Sequence, residues 1–313
     1  MKRSANGWAR RLVIVLAGLL SATAQGRPPE NIELPDWSKT PVEDRDLGHG
    51  VHMLESFGGN IGVLAGDEGV LLVDAEWPEL HDKVVTAVAR ISPKPIRYIV
   101  NTHWHWDHVG GDSLFAKAGA VLISSEETRA HILAAQGSHE YRPDPAAIPV
   151  ITTKAMKLHL AGQTVEIIHA PPAHTDGDLV VRYVEADVIQ TGDTFFHGFY
   201  PDIDQPHGGS IDGMIAWYDT LYKMCGPNTK IIPGHGPVAH REDVREYQAM
   251  LREVRNRVAK AVDAGMTEEA LIASHPLDDL DVKWGGNLIK QPYLLAIVYE
   301  ELQDRRNELR RTP

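Results

Sequence analysis

Residues 101–112 read "NTHWHWDHVGGD", and within them His103, His105, Asp107 and His108 form the spacing H-x-H-x-D-H. Imidazole nitrogens and carboxylate oxygens are ligands for divalent transition ions, so four such groups this close together point to a metal. A polar surface loop would carry such residues singly. Here they stand directly behind the apolar stretch "IRYIV". Further candidates follow apolar stretches of their own: Asp74 in "LLVDAE", His174 in "PPAHTDGD", Asp193 in "QTGDTFF" and His235 in "IIPGHGP". Strand ends hold side chains on a rigid scaffold, and the loops beyond them can converge at one edge. Glycines beside Asp193 and His235 let the backbone come close to an ion.

The elements that must position these residues are legible in outline. "VHMLES", "NIGVLAG" and "GVLLVDAE", split by Gly-Gly and Asp-Glu-Gly turns, predict an antiparallel meander. Pro78 fits a helix start, and "ELHDKVVTAVARI" has apolar residues at helical spacing. "IRYIV" and "GAVLISS" predict strands, with the helix "EETRAHILAAQ" after the second. In the other half "AMKLHL", "QTVEIIHA", "DLVVRYV" and "ADVIQTGD" alternate as strands, followed by the helix "SIDGMIAWYDTLYKM", the strand "TKIIPGHG" and the long helix "EDVREYQAMLREVRNRVAKAVDAG". Strand-rich stretches flanked by helices in both halves predict an α/β fold, a four-layer αββα sandwich. No linker divides the halves, so 46–265 reads as one domain, with 266–313 as a helical C-terminal extension packed on it.

The start of the chain has a different character. "MKRSANGWARR" is basic, "LVIVLAGLL" is a short apolar core and "ATA" offers small residues for cleavage, the layout of a signal peptide over 1–24. The apolar run is shorter than the ~20 residues of a spanning helix. Residues 25–45, rich in Pro and charge, read as an extended lead-in. The expectation is an exported protein, periplasmic or secreted, with no membrane contact after cleavage. Arg10 and Arg11 leave twin-arginine and general export both open. Cleavage removes Lys2, Arg3, Arg10 and Arg11 and no acid, which deepens the net charge of −12 by four. Such a surface repels phosphate backbones, so nucleic acid is a poor partner and a small-molecule substrate is expected. With Cys225 as the one cysteine, no intramolecular disulfide can form.

The ordered set Asp74, H-x-H-x-D-H, His174, "TGDT" and "PGHG", over about residues 46–240, resembles the metallo-β-lactamase superfamily. The resemblance implies a dinuclear centre at the mouth of the αββα sandwich. His103, His105 and His174 would hold one metal; Asp107, His108 and His235 would hold the other, with Asp193 bridging. Asp74 would brace the histidine loop from behind. Imidazole and carboxylate ligands suit two zinc ions, and the second position would also accept iron or manganese. A hydroxide shared by the two metals would be the nucleophile, oriented by Asp107, which can also return a proton to the leaving atom.

Departures from the family pattern narrow the class. Many β-lactamases of the superfamily carry a cysteine at the place of Asp193 and a lysine soon after; "GDTFFHGF" has neither. The full ligand set with Asp193 is similar to glyoxalase II, lactonases and related hydrolases, although "VKWGG" and "IKQP" do not align with the late basic residues of glyoxalase II. The expected reaction is cleavage of an ester, lactone, thioester or β-lactam-type amide. The alternative is a sulfur or redox protein of the same fold with a mononuclear iron. Trp104, Trp106, His197, His207 and Trp284 are candidates for lining the pocket, the tryptophans favouring an apolar substrate portion. Asp176 and Asp178 read as turn formers or ligand supports. His49, His52, His81, His131, His139, His159, His169, His240 and His275 read as structural.

Overall fold

In the strand Gly69–Val73 every residue is buried, because alternate side chains serve two different cores. Leu71 and Val73 meet Leu179 and Val181 between two sheets, whereas Val70 and Leu72 meet Val84 and Val88 of a covering helix. A computed structural model describes residues 34–134, 148–286 and 289–311. The signal assigned to 1–24, the lead-in up to residue 33, and His139 lie outside these residues.

The first sheet runs β1 (Glu43–Gly48), β2 (Val51–Glu55), β3 (Ile61–Gly66), β4 (Gly69–Val73), β5 (Ile96–Val100), β6 (Val121–Ser125) and β7 (Val150–Thr152) in spatial order. β2, β3 and β4 form the expected antiparallel meander, which β1 extends by one strand; β4 through β7 are parallel. The second sheet orders β13 (Ala239–His240), β12 (Lys230–Ile232), β11 (Val188–Gln190), β10 (Leu179–Tyr183), β9 (Gln163–His169) and β8 (Ala155–Leu160), with β11 and β12 parallel. Parallel neighbours end at the same edge, so the turns after β4 and β5, and those after β11 and β12, can gather there.

Helices α1 (His81–Ile91), α2 (Trp106–Val109), α3 (Asp112–Lys117) and α4 (Glu126–Ala134) belong to the first half. The core on the outer face of the first sheet includes Val84 of α1, Phe115 of α3 and Ile132 of α4. The outer face of the second sheet is covered by α5 (Ile211–Met224) and α6 (Arg241–Asp263), then by α7 (Glu268–Ala273), α8 (Asp278–Trp284) and α9 (Gln291–Arg311). The fold is the expected αββα sandwich. The tail is anchored as well as packed: Glu301 of α9 accepts from Ser210 Oγ and from the Ile211 backbone N–H, both at 2.8 Å, at the start of α5. Among the described residues no helix is long and apolar enough to cross a membrane.

The elements depart from the expectation at the sheet edges. β1 begins at Glu43, inside the stretch read as an extended lead-in. Its sequence EDRDLG buries only Leu47, since an edge strand with one partner needs no apolar alternation. The short edge strands β7 and β13 were likewise not expected, and within the histidine loop Trp106–Val109 forms a single helical turn.

Candidate metal centre

The turns after β5, β9, β11 and β12 bring seven side chains together as two groups. His103, His105, His174 and Asp193 form one; Asp107, His108 and His235 form the other, each with its ligand atoms within 4.8 Å of one another. Asp193 touches both. Its Oδ2 lies 3.7 Å from Nε2 of His103 and of His174 and 3.5 Å from His235 Nε2, and its Oδ1 lies 3.1 Å from His108 Nε2. His235 Nε2 is 3.3 Å from Asp107 Oδ2. The structure thus gathers the residues that the family pattern assigns to two ions, with Asp193 between the two sets.

The backbone makes room for this convergence. A Cβ on Gly234 would overlap Asp193 Oδ1, and one on Gly59 would overlap the His108 ring. Asn60, at the head of β3, ties the two sheets at the site. Its backbone N–H donates to Gly234 O at 2.7 Å, and its Nδ2 donates to Pro233 O and Gly236 O at 3.0 and 2.8 Å.

Four histidines have their outer nitrogen fixed by a separate acceptor, which decides which nitrogen faces inward. Asp74 sits in the left-handed backbone region, φ 70°, which aspartate tolerates better than most side chains. Its carboxylate accepts from the Thr102 N–H and Oγ1–H at 2.7 and 2.8 Å and from His108 Nδ1–H at 2.8 Å. Thr102 Oγ1 in turn accepts from His103 Nδ1–H at 3.0 Å. His174 Nδ1–H donates to the Asp202 carbonyl at 2.9 Å, and His105 Nε2–H donates to Asp204 Oδ2 at 3.0 Å.

The inner nitrogens therefore carry lone pairs. His105 Nδ1 and His174 Nε2 are 2.9 Å apart, His108 Nε2 and His235 Nε2 3.4 Å apart, and buried His103 Nε2 has no hydrogen-bond partner. Nitrogens this close repel unless a proton or a cation lies between them. The electrostatics agree. Burial lowers the pKa of His235 and His105, yet Asp193 and Asp107 raise the first to about 10, and Asp204 raises the second to about 9. Burial raises Asp193, but His108, His235 and His103 outweigh it and hold the carboxyl well below its ordinary range. The centre asks for positive charge, and its nitrogen-rich, carboxylate-bridged donors fit divalent metal ions.

The remaining candidates divide. Trp106 is part-exposed at the rim, its ring tilted 59° against buried Trp77 with centroids 3.7 Å apart; Trp37 and Phe57 also pack on Trp77. Trp104 is only 4% exposed and belongs to the core, its Nε1–H donating to Asp204 Oδ2 at 3.1 Å, so it does not line a rim. Trp284 is 5% exposed and packs on Tyr247 in the helical layer, because α8 turns it into that core and away from the cleft. His197 turns from the ligands and donates through Nδ1 to Pro237 O at 2.8 Å. His207 stands behind the site, its Nδ1–H bonded to Asp204 at 2.7 Å. Asp178 closes the turn before β10, accepting from the N–H groups of His174 and Thr175, while Asp176 pairs with His131. Sequence reasoning missed Asp204, Asn60 and Thr102. Thr102 adjoins the motif and carried a weak signal. Asp204 lies 99 residues from His105 and carried none.

The sequence profile of the metallo-beta-lactamase superfamily matches residues 55–265, and the chain belongs to that superfamily. It is 23% identical over 256 residues to the linear primary-alkylsulfatase of a Pseudomonas species, covering 67% of this chain and 48% of that protein. It is 26% identical over 191 residues to the hydroxyacylglutathione hydrolase of a Polaromonas species, covering 60% and 65% respectively. This chain thus spans about half the length of the first relative and under two thirds of the second. Among solved structures, the metallo-beta-lactamase from Pontibacter korlensis superposes with a TM-score of 0.58 at 19% identity, covering 67% of this chain and 99% of that one. A stereoselective inverting sec-alkylsulfatase from a Pseudomonas species gives 0.62 at 18% identity, covering 83% and 50%.

Proposed function

We propose that this protein is an exported hydrolase that works with two divalent metal ions, zinc in the resting enzyme, on a small-molecule ester, lactone, thioester or β-lactam-type amide. The observation that carries the reading is the pair of donor groups sharing Asp193, seven ligand side chains where one ion needs about four. This favours two ions over the alternative of a single iron. Ions held there would acidify a water near neutral pH and polarise the scissile group.

The chain's own residues do the rest. Asp107 is the most open carboxylate of the centre, its side chain 22% exposed, and it orients the attacking water and accepts its proton. The same carboxylate returns the proton to the leaving atom. Asp74, Thr102, Asp202 and Asp204 hold the imidazoles in one tautomer, so the donor set does not rearrange during turnover. The part-exposed Trp37, Phe57 and Trp106, packed around buried Trp77, support a substrate with an apolar portion. The alkylsulfatase relative brings sulfate esters into the range to be assayed. Export rests on the basic, apolar, small-residue layout of 1–24 and is checked by cell fractionation.

Purified zinc-loaded protein should be offered nitrocefin, an acyl-homoserine lactone, a glutathione thioester, an aryl ester and a long-chain alkyl sulfate. We expect one class to respond strongly, and His105→Ala to abolish that response. Turnover that survives His105→Ala, or silence across the panel with two metals bound, would sink the reading.

A further inference from the structure

Asn101 and Asp112 are the two ends of the ligand loop, and both are fully buried. Asn101 closes β5, its N–H donating to Ile123 O at 2.9 Å, and Asp112 opens α3. The ends meet: Asn101 Nδ2–H donates to Asp112 Oδ1 at 3.0 Å. Two oxygens of this pair, Asn101 Oδ1 and Asp112 Oδ2, are buried without any hydrogen-bond partner. The pair thus sets three acceptor oxygens against a single donor group, the Asn101 amide, and leaves two of the oxygens unpaired, a costly arrangement away from water.

We propose that Asp112 is a positioning residue that acts as a neutral carboxylic acid, its O–H donating to Asn101 Oδ1, so that an acid–amide clasp holds together the two ends of the loop bearing His103, His105, Asp107 and His108. One proton supplies the missing donor and pairs both orphaned oxygens. The surroundings agree. Burial raises the Asp112 carboxyl well above its ordinary range, the Asn101 hydrogen bond opposes this, and Asp74 at the end of β4 adds to the rise. Asp74 is the charged group whose field reaches it, and it has the same sign; Lys117, on the same helix as Asp112, is exposed. A clasp at the loop's ends explains how a twelve-residue turn with one short helix holds four ligands in register.

Asp112→Asn tests this, because its amide reproduces a protonated acid: Nδ2–H in place of O–H, and Oδ1 still accepting. A carboxyl raised in the folded state stabilises below its unfolded pKa, and that stability is lost as pH rises. Thermal unfolding of the metal-free full-length chain should therefore show Asp112→Asn close to wild type near pH 5 and more stable by a growing margin toward pH 9. Asp112→Ala should lose zinc affinity about 10–100-fold by chelator competition, and Asp112→Asn should keep it. An Asp112→Asn chain that binds zinc as poorly as Asp112→Ala, or that becomes relatively less stable as pH rises, would show that a charged carboxylate is needed and overturn the proposal. The inference extends the metal reading but its stability arm does not depend on it. If no variant binds zinc, the functional reading fails while the pH comparison still decides the clasp.

Discussion

At the residue scale the centre is a set of imidazoles aimed by their outer nitrogens, and the aim differs in strength from ring to ring. Asp204 is the partner that sequence could not offer. Its carboxylate takes Trp104 Nε1–H, His105 Nε2–H and His207 Nδ1–H together, so its role exists only once distant segments meet. Asp204→Ala should lower zinc affinity about 10–100-fold while leaving the secondary structure intact by circular dichroism; unchanged affinity would mean that His105 is aimed by packing alone. The seven ligands and Asp74 were legible because each follows an apolar strand, and strand ends are visible in sequence. The pocket candidates Trp104 and Trp284 were misplaced for the converse reason: a tryptophan's burial depends on what packs over it, which no spacing rule reports. Cys225 gives a separate test of burial. Desolvation pushes its thiol from 9.0 up to about 11, so at pH 8 about a thousandth of it is thiolate. Iodoacetamide should therefore label the unfolded chain readily and the native chain hardly at all. The sign for stability follows: the raised thiol favours the folded state below pH 9 and loses that contribution as pH climbs toward 11. Equal labelling rates in both states would contradict the buried position.

At the element scale the site depends on which strands end together. β4 and β5 are parallel neighbours in one sheet, β11 and β12 in the other, and each pair delivers its turns to the same edge. Central strands were legible as apolar runs such as "GVLLV", since both faces are covered. The edge strands β1, β7 and β13 were not, being charged or too short to show a period. The tail's helices were expected, but the way α9 is held was not. Glu301, 6% exposed, accepts from the first backbone N–H of α5 and from its capping Ser210, joining the last helix to one that covers the second sheet. Glu301→Ala should cost about 1–3 kcal/mol, the range for losing charge-assisted hydrogen bonds and leaving a buried donor unmet. Chemical denaturation of the metal-free chain measures it, and a loss under about 0.5 kcal/mol would place the anchor among surface interactions.

At the scale of the whole molecule, three cores lie between four layers, and the metal centre occupies the edge where both sheets stop. The four-layer class was legible because the strand-and-helix grouping repeats in the two halves. The facing of the two sheets was not, because register across a sandwich is a tertiary property. The acidic surface, net −12 over the full sequence, should leave the protein without measurable affinity for duplex DNA at physiological salt; salt-dependent retention by DNA would revise the surface reading. Metal content of the full-length protein, purified without chelators and measured against protein concentration, bears most directly on the central claim. The shared Asp193 predicts about two divalent ions per chain, falling to one or fewer in Asp193→Ala. A wild-type chain with only a trace of metal, or a single ion retained equally by Asp193→Ala, would contradict the dinuclear centre.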